Sequence, residues 1–133
     1  MKFLFELVTP ERKLISEEVD MIIARAVDGD LGIMANHAPL LTPVTISQLL
    51  VKNDGLGKLI AVGGGILEVS KEKTVLLADT AELPHEIDVE RAEEARQRAE
   101  ERLAKDKNVI DVKRAEVALR KALTRIDVAG KGE

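Results

Sequence analysis

The feature that most constrains this chain is where its helix breakers stop. All four prolines and seven of the nine glycines lie before residue 88, and only Gly130 and Gly132 follow. Proline removes a backbone donor and glycine loosens a helix, so the first part is not built from long helices. The last part has nothing to interrupt one. Charge divides at the same place. Residues 1–87 carry 8 Lys+Arg and 13 Asp+Glu, net −5, and residues 88–133 carry 12 and 11, net +1. The boundary falls near Pro84 and predicts two domains, 1–84 and 85–133.

The first domain reads as strands. Phe3, Phe5 and Leu7 alternate until Thr9-Pro10 ends the run. Val19, Met21 and Ile23 are expected on one face, before a turn at Asp28-Gly29. An apolar stretch over residues 44–51 precedes a turn at Asn53-Asp54-Gly55, and residues 58–62 follow it. Residues 66–69 and 74–78 flank Ser70-Lys71-Glu72-Lys73, which reads as a hairpin. Short strands with turns every 8–12 residues or so predict an antiparallel sandwich or barrel. Gly63-Gly64-Gly65 suits a bulge or the close approach of another backbone. No helix pattern follows it, so it is not a phosphate loop.

The second domain reads as two helices. Ala92, Ala95, Ala99 and Leu103 recur at helical spacing. Val112, Ala115, Leu119, Ala122 and Ile126 do so more regularly, with a turn over residues 105–108. The predicted fold class is therefore α+β, an N-terminal antiparallel β-sandwich followed by an antiparallel two-helix hairpin. The hairpin seam is mostly alanine. At roughly 25 cal/mol per Å² of apolar surface, each alanine contributes little. Such a hairpin is marginal alone and takes its posture from the sandwich, a partner or a ligand.

Composition narrows the function. Hydrophobic residues at 45% and charged residues at 33% supply one core plus a solvated segment. Without cysteine there are neither disulfides nor thiolate metal sites, which fits a reducing compartment. The start, MKFLFELVTP, turns polar too soon for a signal peptide, and no run approaches the roughly 20 apolar residues of a membrane helix. A net charge of −4, with two phenylalanines and no Trp or Tyr, argues against nucleic acid.

No catalytic constellation is visible. His37 and His85 stand far apart and outside any ligand-spaced cluster, so no metal site is expected. The stretch EIDVERA, residues 86–92, places Asp88 and Arg91 at the start of the first helix. Asp88 is suited to cap it, and Glu90, Glu93 and Glu94 suit the positive end of its dipole. Arg91 and Arg98 lie seven apart on one face, and Arg125 of the second helix is placed to face them. On spacing alone, a solvated face with pairs such as Glu94 with Arg98 is the simpler reading. Arginine forks are also natural partners of phosphate oxygens. His37 lies in GDLGIMANHAPL, a turn-rich loop whose Leu31, Ile33 and Met34 suit either a protein contact or packing on the sandwich.

Three stretches occur in one order: GDLGIMANHAPLLTPV (29–44), GGGILEVSKEKTVLLADTAE (63–82) and IDVERA (87–92). Together they closely resemble the epsilon subunit of bacterial F-type ATP synthases, over nearly the whole chain. The resemblance implies a non-catalytic rotor subunit at the foot of the central stalk, peripheral to the cell membrane on its cytoplasmic side. The sandwich would bind the gamma subunit and rest on the c-subunit ring, with Asp30 and His37 in the segment facing that ring. Ala35-Asn36 stands where the family often has Pro-Gly. Asparagine tolerates the left-handed backbone such a turn needs.

The resemblance further implies that the hairpin is a switch. Folded, it permits turnover; extended, it reaches the alpha/beta catalytic ring and inhibits ATP hydrolysis. In some members, particularly from bacilli, ATP binds the folded form as a regulatory ligand, with or without magnesium, through an I/L-D-x-x-R-A motif. Ile87, Asp88, Arg91 and Ala92 match it, and Glu82, Arg98 and Arg125 match further positions of that site. Lys121 stands where close matches have arginine, keeping the charge and losing the fork. ATP is here a signal and not a substrate. The alternative is a purely structural and inhibitory subunit. In it, hairpin basic residues such as Lys113, Arg114, Arg120 and Lys121 meet acidic surfaces of the catalytic ring.

Overall fold

The computed structural model of the chain describes residues 1–105 and 108–131. Eight strands come first: β1 (Phe3–Val8), β2 (Lys13–Val19), β3 (Met21–Ala26), β4 (Gly29–Ile33), β5 (Leu40–Asn53), β6 (Leu56–Val69), β7 (Thr74–Ala78) and β8 (Ala81–Glu82). A 3-10 turn, Pro84–Glu86, leads into α1 (Val89–Lys105) and α2 (Val109–Lys131).

The strands form one hydrogen-bonded path in the order β2-β1-β7-β6-β5-β3-β4, with β8 also paired to β6. The path becomes a sandwich because β5 and β6, at 14 residues each, run through both layers. The C-terminal half of β6 pairs with β7, and its N-terminal half pairs with β8. The core between the layers includes Phe5, Leu7, Ile22, Ile33, Leu67 and Leu76, all fully buried. β1 and β7 run parallel, while the other pairs are antiparallel as expected.

The glycine triplet marks the crease in β6. The sequence suggested separate segments at 58–62 and 66–69, but the strand continues through Gly63-Gly64-Gly65. The Gly63 N–H donates to the Thr80 carbonyl at 2.8 Å, and the Asp79 N–H donates to the Gly64 carbonyl at 2.9 Å. A Cβ at Gly63 would collide with the Thr80 hydroxyl, and one at Gly65 with the Leu77 carbonyl. Close backbone approach is thus the reason for glycine here. The β5–β6 turn falls at the expected place, with Asp54 at φ 53° and Gly55 at φ 80°, the pair of left-handed residues a tight hairpin favours.

One strand face differs from expectation. Val19 closes β2, Asp20 interrupts, and Met21 opens β3, so the inward residues of β3 are Ile22 and Ala24. Met21 and Ile23 are only half-buried. A break of one residue exchanges the two faces of a strand.

The hairpin forms as the periodicity predicts. Ala92 and Ala99 of α1 and Ala115 and Ala122 of α2 are buried. Asn108 caps α2, its Oδ1 accepting from the Ile110 N–H at 2.9 Å. Of the turn expected over residues 105–108, Asp106 and Lys107 lie outside the described residues. α2 also packs on β5 and β6. Its Val128 is fully buried, clustered with Ala61 of β6 and Ile87 of the linker. Gln48 of β5 donates a hydrogen bond to Asp127 beside it.

Candidate functional site

The charged residues around the hairpin's start converge on one cleft of about 550 Å³. That lies within the size range of small-molecule sites. The β1–β2 turn supplies Glu11 and Arg12, and the segment after β7 supplies Thr80, Ala81 and Glu82. The linker supplies Glu86 and Asp88. Arg91, Ala92, Ala95 and Arg98 come from α1, and Arg125 from α2. Sandwich, linker and both helices therefore meet at one place.

Asp88 caps α1. Its Oδ1 accepts from the Arg91 N–H at 3.1 Å, and its carbonyl accepts from the Ala92 N–H at 3.0 Å. The Asx cap points α1 so that positions 91, 95 and 98, three and four apart, share the cleft face. Ala92 and Ala95 keep the wall between the arginines low. The Glu94–Arg98 pair is not formed; the α1 ion pairs are Arg96 with Glu93 at 2.8 Å and with Glu100 at 3.5 Å. Among the described residues neither Arg91 nor Arg98 has a carboxylate within salt-bridge range. Two guanidinium groups thus line the cleft without ionic partners.

The other two arginines of the cleft are paired. Arg125 Nε donates to Glu82 Oε1 at 2.5 Å, joining α2 to β8. Arg12 grips Glu86 with both fork nitrogens, Nη2 to Oε1 and Nη1 to Oε2, each at 2.7 Å. Glu86 Oε1 also accepts from the Leu83 N–H at 2.9 Å. The Arg12 guanidinium, then this amide, hold the Glu86 carboxyl at about 2, well below the usual carboxylate range. Glu86 in turn raises Arg12.

Of the residues expected to hold ATP, Glu82, Asp88, Arg91, Ala92, Arg98 and Arg125 line this cleft. Ile87 does not; its side chain turns into the Ala61–Val128 cluster. Lys121 lies in a small adjoining hollow with Glu82 and Arg125. Sequence reasoning missed Glu11, Arg12 and Glu86. Arg12 stands 74 positions from Glu86, and no local pattern joins them.

The two residues expected at the ring-facing surface do not share a site. Asp30, paired with Arg25 at 3.0 Å, lines a groove beneath α2. His37 lies with Met34 and Asn36 near the β6–β7 turn. Asn36 adopts φ 66°, so it supplies the left-handed turn. In that loop Ile33 is fully buried and Leu31 packs on the core, while Met34 is exposed. Among the described residues, no group of three or more His, Asp or Glu is placed to hold a metal, and no helix is long and apolar enough to cross a membrane.

Comparison with known proteins covers both domains. A family model described as the ATP synthase delta/epsilon chain beta-sandwich domain matches residues 2–84. The corresponding long alpha-helix domain matches residues 85–130. The ATP synthase epsilon chain of Desulforamulus reducens is 49% identical over 124 residues, covering 93% of this chain and 94% of the relative. That of Halalkalibacterium halodurans is 48% identical over 126 residues, with the same coverage. Among solved structures, a chain of the Euglena gracilis mitochondrial ATP synthase (OSCP/F1/c-ring, rotational state 1) is similar in fold. Its TM-score is 0.82 at 20% identity, over 96% of this chain and 81% of that one.

Proposed function

The chain belongs to the delta/epsilon-chain family of ATP synthases, and from that membership we propose a central-stalk subunit whose helical hairpin is a regulatory arm that ATP holds folded. It is a subunit of the complex and not its catalytic one. The observation that carries the reading is the pair Arg91 and Arg98, without carboxylate partners among the described residues, in a cleft whose other walls are α2 and the sandwich. Their forks suit the oxygens of a polyphosphate. The start of α1 adds its electropositive helix end, where anions collect, through the N–H groups ahead of Arg91, whose own N–H is taken by the Asp88 cap.

A ligand seated there touches the sandwich, the linker and both helices, so it binds the folded posture and not the extended one. Its stabilisation follows RT ln(1 + [L]/Kd), about 2.7 kcal/mol at a hundredfold excess over Kd. Among the described residues, the buried side chains of the two helices that it supplements are four alanines and one valine, with two polar links to the sandwich. Magnesium, if carried with the nucleotide, is held by the phosphates, since the cleft offers no group of three ligating side chains among the described residues.

The exposed surface supports the rotor assignment. Val8, Leu77, Ile66 and Pro43 form one cross-strand row on the outer sandwich face. Leu41, Ile66 and Leu77 are 68%, 49% and 56% exposed. A contiguous apolar strip of this kind suits a permanent protein partner, which we take to be the gamma subunit. The loop around His37, with its exposed Met34, is the face we assign to the c ring. On release the arm extends toward the alpha/beta subunits and restrains ATP hydrolysis. Calorimetry of the full chain with ATP tests the ligand claim, with saturable binding expected. No detectable heat at millimolar ATP removes the ligand and leaves the stalk assignment in place.

A further inference from the structure

The Arg12–Glu86 pair lies within the cleft, yet neither residue belongs to the motif at the start of α1. We infer that Arg12 and Glu86 are positioning residues that pin the linker to the sandwich, leaving Ile87 as the one-residue joint about which the hairpin pivots. The inference deepens the ATP-site reading and rests on it only for its affinity arm.

Three observations carry it. First, the pair joins the β1–β2 turn to the 3-10 turn through a hydrogen bond from Nη2 to Oε1 and a second ion-pair contact between Nη1 and Oε2, each at 2.7 Å. A bidentate pair fixes direction as well as distance. Second, the same carboxylate closes the 3-10 turn from inside by accepting from the Leu83 N–H. The Glu86 N–H donates to the Leu83 carbonyl at 3.0 Å, and the Ile87 N–H donates to the Pro84 carbonyl at 3.3 Å. Residues 83–86 are therefore rigid and fastened to the sandwich. Third, helical order restarts at once, since Asp88 caps α1. Between pinned Glu86 and capping Asp88 stands only Ile87, in extended backbone at φ −77° and ψ 124°.

The arrangement has a consequence for both postures. In the folded one the pin fixes where α1 begins, and so where Arg91 and Arg98 enter the cleft. Ile87 is covered by Val128 of α2 only while α2 lies on the sandwich. When α2 leaves, the joint loses its cover and is free to rotate, while residues 83–86 stay in place. Arg12 acts through Glu86 and does not itself meet the ligand.

The test uses the full chain with four variants: Arg12→Ala, Arg12→Lys, Glu86→Ala and the double alanine. Without ATP, hydrogen exchange at the Glu86 and Ile87 amides is expected to rise about tenfold or more in Arg12→Ala, and less in Arg12→Lys. Amides in β6 and β7 should be unmoved, which separates loss of the pin from loss of the fold. With ATP, the two single alanine variants are expected to weaken binding by similar factors, with the double variant no worse than either. Unchanged exchange at Glu86 and Ile87 in Arg12→Ala overturns the pin. So does an Arg12→Ala that weakens ATP while Glu86→Ala tightens it, because Arg12 is then a ligand contact restrained by its partner. If the wild-type chain binds no ATP, the site reading fails and the exchange arm alone decides the pin.

Discussion

At the residue scale, the cleft separates two kinds of arginine. Arg125 and Arg12 have carboxylate partners, and Arg91 and Arg98 have none among the described residues. Arg91→Ala is therefore expected to weaken ATP binding more than tenfold in calorimetry while barely moving the melting temperature without ligand; unchanged affinity places the site elsewhere. Asp88→Ala should cost about 1 kcal/mol of stability through the lost cap, read by denaturant unfolding. A carboxylate outside the cleft gives a pH test. Glu6, on the outer face of β1, takes hydrogen bonds from Lys13 and Lys73, each at 2.9 Å, and from Ser16 at 3.1 Å. These donors lower its carboxyl from 4.5 to about 2. A carboxyl depressed on folding stabilises the fold above its unfolded value, and the gain fades as pH falls toward the folded one. Glu6→Gln should thus melt below wild type at pH 6, with the gap closing between pH 4.5 and 2. A constant gap over that range contradicts the ionic account.

At the scale of elements, the fold was legible wherever local chemistry decides it. Breakers separated the strands from the helices, alternation found β1, and helical spacing of alanines found the hairpin. Asp54-Gly55 and Asn36 gave the left-handed turns. What stayed hidden depends on long-range pairing. The face of β3 was misread because the chain stops and restarts at Asp20. β6 was read as two segments because its crease is made acceptable by Thr80 and Leu77, far along the chain. Val128 escaped because it faces the sandwich and not α1, so it falls outside the helix-pair rhythm. The lining of the candidate cleft was legible where it lies in one motif, and Arg12 was not because β1–β2 geometry brings it there. Gly65→Ala is expected to be strongly destabilising, since the added methyl meets the Leu77 carbonyl and the Ala78 Cα. A melting temperature within a degree or two of wild type would mean that the β6–β7 crossing relaxes freely.

At the scale of the whole molecule, two bodies of unequal strength share one chain. The sandwich has a continuous core of large side chains, while the buried residues of the two helices are four alanines and one valine among the described residues. Elements held this lightly open below the global unfolding energy. Lys113 and Arg114 of α2 are exposed, and so is Arg120 at the edge of the groove beneath the helix; all three are suited to acidic surfaces if the arm extends. Charge reversal at these three positions should relieve inhibition of hydrolysis in the assembled enzyme and leave the isolated chain's ATP affinity unchanged. Lys121 is the weaker choice for that experiment, being half-buried beside Glu82 and Arg125. The central claim is that nucleotide chooses the hairpin's posture. Its most direct measurement is hydrogen exchange across α1 and α2 of the full chain, with and without millimolar ATP. Protection is expected to be low without ATP and to rise at least tenfold with it, and to stay low with ATP in Arg91→Ala. Helices already as protected as the β-sandwich without ATP, or no response to ATP at all, would contradict it.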